Sequence, residues 1–124
     1  MIYVDTHVLL WLIDGEINNF SKKAALLLDK EQLAISPIVI LELKFLEEIG
    51  KIAGDLTKLQ EIIEIELGIS IEDRSVSKLT TQALSLSWTR DPFDRMIVAQ
   101  AALDRAKLIT RDRNILKHYQ NAVW

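Results

Sequence analysis

Apolar and polar positions along this chain switch repeatedly between two periods. Ile2-Tyr3-Val4 is a β-branched and aromatic run ending at Asp5, and Thr6 to Ile13 then reads as a short apolar helix before a turn at Gly15. Ser21 caps a helix through Lys30 that turns Ala24, Leu27 and Leu28 inward, and Leu33-Ala34-Ile35 forms a second strand. Ser36-Pro37 supplies a cap followed by proline at the first helical position, with Gly50 marking the end of that helix. Leu56, Leu59, Ile62, Ile63 and Leu67 predict a further helix over 56–67, so that the two helices pair as a hairpin. Ile69 to Ile71 is a third strand and Val76 to Leu86 a helix. Asp91-Pro92 opens another helix reaching Ala106, Leu108 to Thr110 is a fourth strand, and Asn121 to Val123 adds a fifth. Strands alternating with helices argue for an α/β fold. The expected architecture is a doubly wound, mostly parallel sheet of four to five strands with helices on both faces.

With 124 residues and no repeat or proline- or glycine-rich linker, residues 1–124 are expected to form a single domain. The longest apolar run, Val8 to Ile13, is too short to span a bilayer, and strand formation from Ile2 leaves no room for a secretory leader. Both point to the cytoplasm and to no membrane partner. Without cysteine the chain has no disulfide, thiolate zinc site or cysteine nucleophile. A net charge of −3 disfavours broad attraction to nucleic acid and leaves only local basic patches for that purpose.

Four acids stand where strand ends and helix faces converge: Asp5, Glu42, Asp94 and Asp112. Two like charges about 5 Å apart at an effective dielectric near 20 repel by about 3 kcal/mol, so such a cluster calls for a cation or for protons. Oxygen-only ligands select Mg²⁺ or Mn²⁺, whose usual chemistry is on phosphate. Each acid also has a plainer reading. Asp5 and Asp112 fit N-caps, and Asp91, with Pro92 behind it, is explained by capping alone. Asp94 occupies the third helical position, but Ile97, Val98 and Ala101 place it at the mouth of the inward stripe. Glu42 is central to the apolar face of Ile38, Val39, Phe45, Leu46 and Ile49, where an unpaired charge is costly; the alternative to a metal is a buried salt bridge to Arg95 or Arg74.

His7 and His118 lack ligand-spaced partners and read as packing or hydrogen-bonding residues, while Trp11, Trp88 and Trp124 read as core or interface anchors. Arg90, Arg95, Arg111 and Arg113 each fall near a candidate ligand. They are either a solvated rim or a basic ring that holds an RNA backbone beside an acidic pocket.

The segments Asp5-Thr6-His7-Val8-Leu9-Leu10-Trp11, Ser36-Pro37 through Glu42-Leu43, Arg90-Asp91-Pro92-Phe93-Asp94-Arg95 with Ile97-Val98-Ala99-Gln100-Ala101, and Thr110-Arg111-Asp112 give nearly the whole chain a resemblance. It resembles the PIN-domain ribonucleases, and within them the VapC-like toxins of type II toxin–antitoxin pairs. The resemblance implies a PIN-like fold in which Asp5, Glu42 and Asp94 match the family's acidic triad and Asp112 its more variable fourth acid. Asp91 competes with Asp94 for the third position, and the helix-face argument favours Asp94. Thr6 and Thr110 match small polar positions beside the metal site, and Asn114 is a further polar candidate. The resemblance also implies an endoribonuclease using Mg²⁺ or Mn²⁺, a homodimer, and silencing by a small antitoxin whose tail enters the site. The region from Pro37 to Leu67 corresponds to the part that grips that partner.

Three other functions compete with this one. A haloacid-dehalogenase-type phosphatase also places aspartate after its first strand, but its second aspartate would fall on His7. A response-regulator receiver needs an acceptor aspartate after a central strand and a late lysine, neither of which is evident. A catalytically silent PIN-fold binding module retains the fold without the chemistry.

Overall fold

The computed structural model describes residues 1–124. Five strands form one sheet: β1 Ile2–Val4, β2 Leu33–Ile35, β3 Ser70–Ile71, β4 Leu108–Ile109 and β5 Ala122–Val123, in the order β3-β2-β1-β4-β5. Every neighbouring pair is parallel, with Tyr3 opposite both Ala34 and Leu108. Parallel strands are covered on both faces, and β1 and β2 are accordingly apolar at every position and buried throughout. The chain works outward from β1 through β2 to β3, then returns across the sheet to β4 and β5. That reversal makes the carboxyl ends of β1 and β4 the switch point, where ligands bind in open α/β sheets.

Seven helices connect the strands: α1 Thr6–Asp14, α2 Lys22–Lys30, α3 Pro37–Glu48, α4 Leu59–Glu61, α5 Val76–Leu84, α6 Pro92–Leu103 and α7 Arg113–His118. Their starts follow local chemistry. Ser21, Ser36, Ser75, Asp5, Asp91 and Asp112 each accept a first-turn N–H, and Pro37 and Pro92 occupy first helical positions where no donor is needed. Gly15 ends α1 at φ 70°, a left-handed conformation that glycine adopts without a Cβ clash. No helix is long and apolar enough to cross a membrane.

The expected parallel sheet is present, with all five strands parallel, and three predicted helices are shorter than expected, α5 ending at Leu84 instead of Leu86. The helix predicted over 56–67 is α-helical only at Leu59–Glu61 and continues as a π-turn over Ile62–Glu66, with the Leu67 N–H bonded to the Ile62 carbonyl at 2.9 Å. Three isoleucines within four positions crowd an α-turn. The wider winding keeps Ile63 fully buried and leaves Ile65 exposed. Asp55 accepts from the Thr57 N–H at 2.9 Å, which turns the chain before Leu59. Helix α6 stops at Leu103 instead of Ala106, because Arg105 adopts φ 52° and the Ala106 N–H closes back on the Ala101 carbonyl.

The core joins 21 buried residues, among them Val4, Leu9, Ile35, Leu43, Ile63, Val98 and Ile109. Each large aliphatic chain removed from water there contributes about 1.5–3 kcal/mol, which fixes the helix heads against the strand ends.

Candidate active site

Asp5 leaves β1 in extended conformation and caps α1: one carboxylate oxygen accepts the Val8 N–H at 3.0 Å, and the other accepts the Thr110 hydroxyl. The Thr110 hydroxyl in turn accepts the Asp112 N–H at 3.0 Å, and the Asp5 N–H bonds the Ile109 carbonyl at 3.1 Å. The ends of β1 and β4 are thereby tied together with Asp5 and Asp112 on either side of Thr110. Burial pushes the Asp5 carboxyl above the usual aspartate range, against the opposing pull of its Thr110 and Val8 hydrogen bonds. Asp112 is exposed and caps α7, accepting the Asn114 and Ile115 N–H groups at 2.8 and 3.0 Å.

Glu42 projects from the buried face of α3 between Val39 and Leu43 and is only 9% exposed. No cation pairs with it. Arg95 donates to the Thr89 carbonyl at 2.8 Å, and Arg74 engages Asp104 at 2.9 and 3.0 Å and Glu72 at 3.2 Å, so the expected alternative of a buried salt bridge to either arginine is absent. Burial raises the Glu42 carboxyl above its ordinary value; the neighbouring Thr6 hydroxyl opposes that rise and the Asp91 charge adds to it. The Thr6 oxygen is buried and makes no hydrogen bond of normal length.

Asp91 does what capping requires, accepting the Phe93 and Asp94 N–H groups at 2.8 and 3.1 Å. It is also part of the acidic cluster. Glu42, Asp91 and Asp94 each offer an oxygen within 4.8 Å of the others. Asp5 and Asp112 line the same cavity but stand outside that tightest group, because helix capping and the Thr110 bond orient the Asp5 carboxylate. The structure thus brings both rivals for the third position into the site, and Asp91 rather than Asp5 completes the closest trio. Asp94 feels the whole cluster: burial first, then Asp91, Asp112, Glu42 and Asp5, push its carboxyl up to about 7.

These five acids line one cavity of about 370 Å³ together with Thr6, His7, Trp11, Ile97 and Arg111. Its potential ligands are five carboxylates, the orphaned Thr6 hydroxyl and the single His7 imidazole, with no thiolate. That set fits a hard divalent cation such as Mg²⁺ or Mn²⁺.

Of the four candidate arginines, only Arg111 lines the cavity. Arg90 donates to the Ser87 carbonyl at 2.9 Å, Arg95 is held by Thr89, and Arg113 is exposed in the first turn of α7. Asn114 does not line the cavity; its side chain donates to the Trp88 carbonyl at 3.2 Å. His118 packs flat on Trp88, 5.0 Å between ring centroids. His7 and Trp11 are cavity residues that their sequence reading as packing groups missed. The signal was their spacing: both lie one helical turn apart on the helix that Asp5 begins.

A family model described as PIN domain matches residues 2–121. Comparison with curated protein sequences gives no significant match. By fold, the chain is similar to a chain of a toxin–antitoxin complex from Klebsiella pneumoniae, at 20% identity and a TM-score of 0.67, covering 100% of this chain and 97% of that one. It is also similar to a chain of VapBC2 from Rickettsia felis bound to a DNA fragment from their promoter, at 23% identity and a TM-score of 0.68, covering 99% and 96%.

Proposed function

This chain belongs to the PIN domain family, and on that footing we propose that residues 1–124 form one PIN-like domain acting as a divalent-metal-dependent endoribonuclease, the toxin of a VapC-like toxin–antitoxin pair. The observation that carries the reading is Glu42: a carboxylate 9% exposed in an apolar helix face, with no lysine, arginine or histidine paired to it and two further carboxylates within 4.8 Å. Evolution of a binding module alone gives no reason to bear that repulsion.

Glu42, Asp91 and Asp94 would hold Mg²⁺ or Mn²⁺ directly, with Asp5 and Asp112 acting from the strand-end side of the cavity. The bound ion supplies an acidified water and charge balance for a phosphodiester. Thr110 fixes the Asp5 carboxylate, and the free Thr6 hydroxyl orients a water beside Glu42. Asp94, near neutrality without metal, is a place where a proton can be held while the substrate enters. No nucleophilic side chain is required.

The likeness to chains from toxin–antitoxin complexes supports a protein antitoxin as partner and a cytoplasmic setting. The exposed Leu41 and Phe45 on α3 and Ile49 just past its end support the Pro37–Leu67 region as the gripping surface, in a protein expected to be a homodimer. Incubating the pure protein with total RNA in Mn²⁺ or in chelator tests the activity. Metal-dependent fragments that disappear in Glu42→Gln are expected. Intact RNA under both conditions would sink the nuclease reading and leave the silent module.

A further inference from the structure

Arg111 is the only lysine or arginine lining the acidic cavity, yet its guanidinium pairs with none of the five carboxylates there. An arginine near carboxylates gains most from a bidentate pairing. This one instead stands 6.0 Å from the ring centroids of both Trp11 and Trp124. The two indoles lie 5.9 Å apart, and Phe20 meets each edge-on at 6.1 and 6.0 Å. The sheet builds this arrangement: β4 and β5 pair with Ile109 opposite Val123, and the Thr110 N–H bonds the Val123 carbonyl at 3.1 Å, so that Arg111 and Trp124 leave the two neighbouring strand ends within reach of each other. The π faces hold the charge at the cavity wall and leave its N–H donors free.

A polyanion approaching five carboxylates meets repulsion that a metal at the cavity floor offsets only locally. A guanidinium fixed at the rim matches the two free oxygens of a phosphodiester. We infer that Arg111, propped by Trp11 and Trp124, binds the phosphate adjoining the one that is cut and so sets affinity for the RNA strand. Arg90 and Arg95 are engaged by backbone carbonyls, and neither lines the cavity.

This inference rests on the ribonuclease reading, and its test separates the two. The probe is a fluorescein-labelled single-stranded RNA of about 12 nucleotides and mixed sequence, roughly the site size of a single-strand groove. Anisotropy is measured with Mg²⁺ in an Asp5→Asn background, so that binding is read without cutting. Adding Arg111→Ala is expected to weaken binding about tenfold and to lower the salt slope by about 0.7, as loss of one single-strand phosphate contact requires. Arg111→Lys should recover part of the affinity. Trp124→Leu keeps the charge but removes a prop, and should weaken binding a few-fold with the salt slope intact. Unchanged affinity and slope in the Arg111→Ala variant would overturn the inference while metal-dependent cutting by the wild type left the nuclease reading standing. Arg111-dependent binding by a wild type that cuts no RNA would overturn the nuclease reading, and with it the placement beside a cut phosphate, while keeping Arg111 as the RNA contact; no RNA binding at all would count against both.

Discussion

The carboxylates of Glu42 on α3 and Asp91 at the head of α6 approach within 4.8 Å although no lysine, arginine or histidine pairs with either. Like charges held this close by two packed helices are a stability cost that a divalent cation removes. Mn²⁺ at about 100 times its dissociation constant stabilises a folded protein by about 2.7 kcal/mol, which for a chain of this size raises Tm by about 10 °C. Glu42→Gln should lose most of that rise. A wild-type melting curve indifferent to Mn²⁺ and Mg²⁺ would show that the trio holds no ion.

Asp94 gives the same cluster a pH signature. Its carboxyl is pushed up to about 7 in the folded chain, well above its ordinary value of 3.8. Below about pH 4 it is protonated whether folded or unfolded, so it imposes no penalty; as pH rises through about 7 it ionises in the folded state and the full penalty is present. Solvent screening at this partly exposed site trims the cost to about 1–2 kcal/mol. In chelator, Asp94→Asn should therefore be more stable than wild type at pH 8, with the gain gone by pH 4. Melting both proteins across that range checks the sign, and a gain that grew toward acid pH would contradict it.

Asp91 serves two purposes that substitution can separate. Serine caps a helix nearly as well as aspartate but carries no charge, whereas alanine does neither. In chelator Asp91→Ser, which keeps the cap and removes a like charge, should be at least as stable as wild type, and Asp91→Ala should be less stable than Asp91→Ser by about 1 kcal/mol. Both should blunt the Mn²⁺-induced rise in Tm equally. Calorimetry in chelator and in Mn²⁺ resolves the pair; a serine variant that responded to metal like wild type would reduce Asp91 to its capping role.

That double duty also marks where the sequence was legible and where it was not. Asp91-Pro92 announces a cap so clearly that capping exhausts its local meaning, and only the packing of α3 against α6 shows that the same carboxylate faces Glu42. Glu42 was legible because helical periodicity alone sets it among apolar neighbours. The strands and most helices could be read for the same local reasons, from short β-branched runs and Ser, Asp and Pro starts. The π-turn at Ile62–Glu66 could not, since five apolar positions at helical spacing look alike in α and π winding. Nor could the pairing of Arg111 with two indoles, which depends on the β4–β5 register.

Two hydroxyls on the central strands separate what supports the site from what merely supports the fold. Tyr3 on β1 donates to Asp104 at 2.5 Å and accepts from Gln100 at 3.2 Å, in a network completed by Arg74 and away from the acidic cavity. Thr110, just past β4, is fully buried and holds both the Asp5 carboxylate and the Asp112 N–H. Removing either hydroxyl leaves buried polar partners unsatisfied, at a cost of about 1–3 kcal/mol. Tyr3→Phe and Thr110→Val should thus lower Tm to similar extents. Only the threonine variant frees the Asp5 carboxylate to swing and loosens the loop carrying Asp112, so only it should also lose metal-dependent RNA cleavage, by tenfold or more. Equal loss of cleavage in both variants, compared at a temperature where each is fully folded, would mean that Thr110 acts through general stability and not by aiming Asp5.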